Sequence, residues 1–264
     1  MSAPFPLFDA HLHADGLSDQ DLAAMADFGV KAALVPARDA VCPSAKDLVA
    51  HFEELIHTQA RRLKWLGIRP FAALGIHPSR IPWHGLEEVL AAIPRLAAAG
   101  RLVAIGEIGL DKADPREEQV FGRQLELAGE LNLPVVVRTP ERDKLRVTRR
   151  ALALLRESEI EPGAVLVDNA NAQTLKTIRE CGFVAGLSVN PMRLSAEEVV
   201  GLIHSFGSEA LIVSSDAGDG AHDILSLPRT AAMLAERGLS AQLIRRVMFE
   251  NAVGFLRIDP SAVS

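Results

Sequence analysis

Pro6-Leu7-Phe8-Asp9-Ala10-His11-Leu12-His13 is a short apolar run that ends in polar side chains. Residues of an extended strand alternate between its two faces, so His11 and His13 point the same way. Two imidazoles on one side of a strand end can reach the same point, which suits a divalent metal that binds neutral imidazole nitrogen. The segment therefore predicts a buried strand with metal ligands at its carboxyl end.

The same kind of apolar run recurs along the chain, separated each time by an amphipathic stretch. Runs that are almost continuously apolar and rich in Val, Ile, Leu and Ala are typical of parallel strands covered on both faces. The eight predicted strands span residues 7–11, 31–36, 70–76, 102–108, 134–138, 164–168, 183–189 and 210–214.

The amphipathic stretches carry the signals of helix ends. Ser18 precedes an acidic first turn, and Ser195-Ala-Glu-Glu198 has the form of a capping box. One predicted helix begins at Ser18 and another at Ser195, and the remaining helices span residues 51–66, 86–99, 117–131, 143–158, 172–181, 224–237 and 240–255.

Eight strand–helix units in 264 residues predict a single closed (β/α)8 barrel, the TIM barrel. A doubly wound open sheet is the alternative, but no Gly-x-Gly-x-x-Gly follows the first strand to mark a dinucleotide site. No linker rich in Pro, Gly or Ser interrupts the chain. We therefore expect one domain over residues 1–264.

Composition narrows the class of protein. The hydrophobic content of 48% and charged content of 23% are those of a globular protein with a sizeable core. The net charge of −6 argues weakly against tight, general nucleic-acid binding. No signal peptide is evident and no apolar run approaches the ~18–20 residues of a membrane span, so we expect a cytoplasmic protein without membrane association. Cys42 and Cys181 are expected to be reduced thiols.

Residues that can perform chemistry collect where the predicted strands end, which is where the active sites of TIM barrels lie. Charged residues that served solubility alone would be scattered among the loops instead. After the His11/His13 pair come His77 (strand 3), Glu107 (strand 4), Arg138 (strand 5), Asp168 and Asn169 (strand 6) and Asp216 (strand 8).

Four of these strand ends lie in recognisable motifs: Asp9-Ala-His-Leu-His13, Gly75-Ile-His-Pro78, Gly106-Glu-Ile-Gly-Leu-Asp111 and Ser215-Asp216. In that order they resemble the signature segments of the TatD-like metal-dependent hydrolases, which belong to the amidohydrolase-type barrel superfamily. The resemblance covers nearly the whole chain, from Asp9 to about Leu256. Within the family, residues 133–140 look most similar to an uncharacterised divergent branch.

The resemblance implies a ligand set. One divalent ion (Zn, Mn or Mg) would be held by His11, His13 and Asp216, with Glu107 bridging towards a second ion. In the family the second ion takes a histidine after strand 5 and another after strand 6. This chain has Arg138 at the first position, and a guanidinium cannot donate a lone pair to a metal. We therefore expect one ion rather than two.

The resemblance also implies a reaction, in which a metal-activated water cleaves a phosphodiester or other ester bond of a small-molecule or phosphorylated substrate. Asp216 would act as general base, and His77 and Arg138 would stabilise developing charge. Arg138, His77 and Asn169 would bind the substrate. A nucleic-acid substrate is compatible with this reaction, although the net charge of −6 argues against tight, general nucleic-acid binding.

Two alternatives remain open at this point. The chain could hydrolyse a C–N bond of a small metabolite, as other barrels of the superfamily do. It could instead be a non-catalytic descendant that binds a ligand in the old pocket, with Arg138 sealing the site through a salt bridge to Glu107.

Overall fold

Eight parallel strands lie side by side in chain order, and each strand after the first pairs with the strand before it in the sequence. The computed structural model describes residues 5–38, 44–98 and 102–263. The strands are β1 (Leu7–Asp9), β2 (Val30–Pro36), β3 (Arg69–Leu74), β4 (Leu102–Gly109), β5 (Val135–Arg138), β6 (Val165–Asp168), β7 (Val184–Ser188) and β8 (Leu211–Ser214). Helices return the chain between successive strands, so the predicted (β/α)8 barrel is confirmed.

The helices are α1 (Asp19–Asp27), α2 (Ala45–Glu54), α3 (Ala60–Trp65), α4 (Leu86–Ala97), α5 (Pro115–Glu130), α6 (Lys144–Glu157), α7 (Leu175–Glu180), α8 (Ala196–Phe206), α9 (Ser226–Glu236), α10 (Ala241–Arg245) and α11 (Asn251–Phe255). Short π-helical stretches, Leu55–Gln59 and Arg246–Glu250, join α2 to α3 and α10 to α11. Ser18 and Ser195 both form capping boxes, in which side chain and backbone hydrogen-bond reciprocally. None of the helices in the described ranges is long and apolar enough to cross a membrane.

Most predicted element ends shift by a few residues, and two of these shifts have a clear structural cause. The helix expected to begin at residue 51 already begins at Ala45, because the Ser44 hydroxyl caps it by accepting a hydrogen bond from the backbone N–H of Asp47 at 3.2 Å. The strand expected to reach His11 ends at Asp9, whose carboxylate accepts a hydrogen bond from the His11 backbone. Cys42 and the end of the predicted helix at residue 99 lie outside the described residues.

The barrel closes at the carboxyl ends of β1 and β8, beyond the strands themselves. The Asp216 N–H donates to the His11 carbonyl at 3.0 Å, and the His13 N–H donates to the Ala217 carbonyl at 2.8 Å. These bonds bring the first and last strand-end motifs of the sequence together. The functional residues of the two termini therefore share one rim of the barrel.

Two apolar layers give the barrel its shape. Side chains that point outward pack under the helices, and those that point inward fill the barrel interior, which Phe249 and Phe255 close from below. Val136 of β5 and Leu166 of β6 belong to the interior layer. Since alternate residues of a strand share a face, Arg138 and Asp168 follow them onto the inner face, at the end of their strands.

Candidate metal centre

The two histidines that follow β1 face each other at the mouth of the barrel. Their Nε2 atoms lie 3.1 Å apart, and both side chains are buried. Asp9 fixes the turn that carries them, because its carboxylate accepts hydrogen bonds from the His11 N–H (3.3 Å), the Ser215 N–H (3.0 Å) and the Ser215 hydroxyl (2.5 Å). Asp9 thus ties the imidazole pair to the end of β8.

Two carboxylates complete the group of candidate ligands. Glu107 in β4 places Oε2 3.7 Å from the His11 Nε2 atom. Asp216 after β8 places Oδ1 3.6 Å from the His11 Nε2 atom and 3.4 Å from the His13 Nε2 atom. His11, His13 and Glu107 each offer a donor atom within 4.8 Å of the others. The other three predicted metal ligands therefore each place a donor atom within 4 Å of the His11 Nε2 atom.

A third carboxylate orients the first imidazole from behind. Asp168, at the end of β6, makes a short hydrogen bond through Oδ2 to the His11 Nδ1 atom. Its other oxygen accepts hydrogen bonds from the Asn169 N–H (2.8 Å) and the Ser188 hydroxyl (3.4 Å). With Nδ1 bound in this way, the lone pair of Nε2 is directed at the ligand cluster, as is usual for histidines that bind metals.

Each of the two candidate carboxylate ligands gives its remaining oxygen to an arginine. The Arg138 Nε atom lies 3.1 Å from Glu107 Oε1, and its Nη1 atom donates to Asp111 at 2.6 Å. The Arg193 Nε atom donates to Asp216 Oδ2 at 3.0 Å. The two guanidinium groups each hold one carboxylate in a fixed orientation.

The electrostatics of this group favour a positive charge between the carboxylates. Burial opposes a charge on the His11 ring, but Asp168, Asp216 and Glu107 outweigh it and raise the pKa of His11 to about 10. Burial also favours the neutral form of Asp216, yet His11, His13 and Arg193 hold the pKa of this carboxyl well below its ordinary range. A proton on His11 partly balances the negative charge of the surrounding carboxylates. A divalent cation at the same point would balance it more fully.

His77 has the opposite electrostatic character. Burial, followed by the positive charge of Arg138, lowers the pKa of His77 well below its ordinary value, so the ring is neutral at neutral pH. Its Nδ1 atom accepts a hydrogen bond from the Ser79 N–H at 3.1 Å. The single ring proton therefore lies on Nε2, and His77 can donate one hydrogen bond.

A cavity of about 630 Å³ opens above the cluster and is lined by His13, His77, Glu107, Arg138, Arg193 and Asp216, among others. Its rim carries Arg38, Lys112, Arg142 and Arg146, with Asp143 and Asp219 between them. The cavity is large enough for a small substrate or one end of a larger one.

Asn169 does not line this cavity. It lies at a positive φ of 56° after β6 and lines a neighbouring cavity of about 620 Å³. Its Oδ1 atom is buried and has no hydrogen-bond partner among the described residues. The predicted role of Asn169 in substrate binding thus stays a prediction, and it concerns a different recess from that of His77 and Arg138.

Sequence analysis gave no role to three residues that hold the ligands in place. Asp168 was noticed only as a strand end, although the two-residue spacing from Leu166 already indicated that it faces the barrel interior. Asp111 closes a quoted motif, but its contact with Arg138 depends on how two loops meet. Arg193 lies in the loop after β7, where no periodic pattern marks a functional side chain.

Comparison with known proteins agrees with this geometry. The family model of TatD related DNase matches residues 8–257. The chain belongs to this family. An uncharacterised metal-dependent hydrolase from Methanocaldococcus jannaschii is 32% identical over 254 residues, which cover 96% of this chain and 100% of that protein. The predicted resemblance is therefore confirmed, and the chain is a metal-dependent hydrolase of the TatD family.

Two further relatives extend the comparison. The crystal structure of a TatD-like protein from Archaeoglobus fulgidus superimposes with a TM-score of 0.80 at 27% identity, covering 95% of this chain and 100% of that chain. A 3'-5' ssDNA/RNA exonuclease TatD from a Pantoea species is 34% identical over 117 residues, or 39% of this chain and 44% of that protein.

The residues present suit the metal that the family name implies. Two neutral imidazole nitrogens and two carboxylate oxygens form a donor set that binds divalent ions such as Zn²⁺ and Mn²⁺. His11 and Asp216 already have the electrostatic surroundings of cation ligands. The residues do not suit a second ion beside Glu107 in this way, because Arg138 lies there and already supplies a positive charge.

Proposed function

We propose that this TatD-family chain cleaves a phosphodiester or related ester bond at a centre that holds one divalent ion. The observation that carries the proposal is the convergence of His11, His13, Glu107 and Asp216, with the outer oxygen of each carboxylate held by an arginine. A divalent cation at this point supplies Lewis-acid activation of water and of the bond that is cleaved.

The donor set favours a borderline metal. Mg²⁺ prefers oxygen ligands and keeps several waters, whereas His11 and His13 offer two nitrogens. We therefore propose Zn²⁺ or Mn²⁺. Arg138 takes the place of the second ion, because its guanidinium balances the charge of Glu107 and Asp111 without coordinating anything.

Asp216 is the proposed general base. Its pKa is held well below the ordinary range, so the carboxyl is ionised at neutral pH, and a water made acidic by a bound dication would be able to give it a proton for return to the leaving group. Arg193 and Asn190 hold its outer oxygen at 3.0 Å and 3.4 Å. The inner oxygen is thus held in position for the proton transfer.

His77 and Arg138 are the proposed stabilisers of developing negative charge. His77 is neutral and carries its proton on Nε2, so it donates a hydrogen bond without repelling a nearby cation. Arg138 is permanently charged and lines the same cavity. Groups that are held rigidly before the reaction stabilise an oxyanion most effectively.

For the substrate class we propose a phosphodiester with an accessible end, such as single-stranded nucleic acid. The support is the relative named as an ssDNA/RNA exonuclease together with the basic side chains on the cavity rim. A single strand offers such an end, and its backbone phosphates can contact the basic side chains that line the cavity.

Hydrolysis assays test the proposal directly. Protein loaded with Zn²⁺ or Mn²⁺ is expected to cleave bis(p-nitrophenyl) phosphate and a single-stranded oligonucleotide, and to lose both activities after treatment with a chelator. Asp216→Asn should lower kcat by ~10²- to 10⁴-fold, the contribution typical of a positioned base. Asp219→Asn, which removes the same charge from the same cavity, should change kcat less than about twofold.

Two outcomes would contradict the proposal: hydrolysis that survives removal of the metal, or full activity in Asp216→Asn. Metal binding without hydrolysis of either ester would instead favour the ligand-binding alternative, and cleavage of amide substrates alone would favour C–N hydrolysis.

A further inference from the structure

Arg193 makes two ion pairs, one with a buried carboxylate and one with a largely exposed carboxylate. Its Nε atom donates to Oδ2 of Asp216 at 3.0 Å, and its side chain is only 13% exposed. Its Nη1 atom is paired with the carboxylate of Glu141, whose side chain is 55% exposed. The inner contact is thus a buried ion pair to the ligand cluster, and the outer contact joins a buried guanidinium nitrogen to a carboxylate that is largely exposed.

The two partners come from different loops. Arg193 follows β7, and Glu141 lies between β5 and α6. Both residues line the cavity above the ligand cluster and also the neighbouring cavity that contains Asn169. The ion pair between them therefore stands where the two cavities meet, at the point a substrate must pass to occupy both.

We propose that Arg193 binds the anionic phosphoryl group of the substrate and that Glu141 is an internal ligand which this group displaces. The inference deepens the proposed function, because it assigns the residue that recognises the charge of the phosphoester. Until substrate arrives, Glu141 occupies the Nη1 end of the guanidinium. Arg193 is then a substrate-binding residue beside Asp216, whereas Arg138 lies beside Glu107.

The exchange follows from the chemistry of the two anions. A guanidinium binds phosphoryl oxygens through paired N–H donors, whereas a largely exposed carboxylate contributes little to such a pair. Arg193 does not move when Glu141 leaves, because Asp216 retains its Nε end. Arg138 is less suited to the role, since Glu107 and Asp111 both engage it inside the site.

The affinity for phosphate distinguishes displacement of Glu141 from the general effect of removing one negative charge from the cavity. Titration calorimetry with inorganic phosphate is carried out on metal-loaded protein freed of excess metal. Glu141→Gln removes the displaced ligand and should tighten phosphate binding about three- to fivefold. Asp143→Asn is the matched control, because Asp143 lies on the same loop and cavity rim but pairs with Arg146 at 3.3 Å. It should change the affinity by less than about 1.5-fold.

Arg193→Gln is expected to weaken phosphate binding at least tenfold, with metal content measured alongside to show that the centre is intact. If this variant fails to fold or loses its metal, the comparison of Glu141→Gln with Asp143→Asn still decides. Equal effects of those two variants, or no effect of Glu141→Gln, would overturn the inference. The hydrolysis assays are independent of this result, so failure of the proposed function and failure of this inference are read separately.

Discussion

At the scale of single residues, the metal centre depends on two carboxylates whose two oxygens have different partners. Glu107 and Asp216 each present one oxygen to the imidazole pair and the other to a guanidinium. This division fixes their orientation before any ligand binds. It also leaves the ligand cluster with an unmet demand for positive charge, which the raised pKa of His11 expresses.

Lys144 leads to a prediction about how the stability of the protein depends on pH. Burial, with the charge of Arg138, lowers the pKa of Lys144 from 10.5 to about 8. Between these values the unfolded state holds more protons than the folded state, so the free energy of unfolding rises with pH. The stability associated with this group is fully present above 10.5 and is lost as the pH falls through 8.

We expect Lys144→Met to lose this dependence. Relative to the variant, the wild-type protein should gain about 1 to 3 kcal/mol in its free energy of unfolding between pH 7.5 and pH 10, measured by denaturant titration of metal-free protein. Lys176→Met is the control, because the Lys176 side chain is 74% exposed. If the free energy of unfolding depended on pH in the same way in Lys144→Met and Lys176→Met, Lys144 would be shown to be solvated.

At the scale of elements, the loops after β1 and β8 meet through two glycines. Gly218 has a φ of 95°, and a Cβ added there would lie 2.0 Å from the His13 carbonyl oxygen. A Cβ on Gly16 would lie 1.9 Å from the Gly218 carbonyl oxygen. The close approach of these backbones lets His13 and Asp216 reach the same point.

Gly218→Ala should therefore separate the two loops. We expect it to lower the free energy of unfolding by about 2 kcal/mol or more, from backbone strain and overlap, and to weaken metal binding at least tenfold as His13 moves. Gly122→Ala is the matched control within α5, where an added Cβ meets nothing within 4 Å. It should raise stability by about 0.5–1 kcal/mol. A Gly218→Ala protein with wild-type metal affinity would show that the close approach is not needed.

At the scale of the whole molecule, the sequence predicted what depends on periodicity. Buried parallel strands are apolar on both faces, so all eight were found, and the polar residues that end them indicated the rim where His11, Glu107 and Asp216 lie. The order of eight alternating strand–helix units along the chain then predicted the closed barrel.

The remaining features depend on contacts between distant loops. Arg193 reaches Asp216 because the loops after the neighbouring strands β7 and β8 meet, and Asp168 reaches His11 across the barrel interior from β6 to the end of β1. No local pattern encodes either contact. The start of α2 depends on a local feature instead: Ser44 caps a first turn that contains few large apolar side chains, so the apolar pattern alone places the start of the helix too late.

Metal stoichiometry tests the central claim most directly. Protein saturated with Zn²⁺, passed through gel filtration and analysed for metal should carry one ion per chain. The His11→Ala/His13→Ala double variant should carry none while keeping its fold, because it removes both nitrogen ligands from a site with few alternatives. His57→Ala/His204→Ala, which alters two exposed histidines, should keep the ion. A double variant at His11 and His13 that retains its metal, or a wild-type chain that binds two ions, would contradict the account.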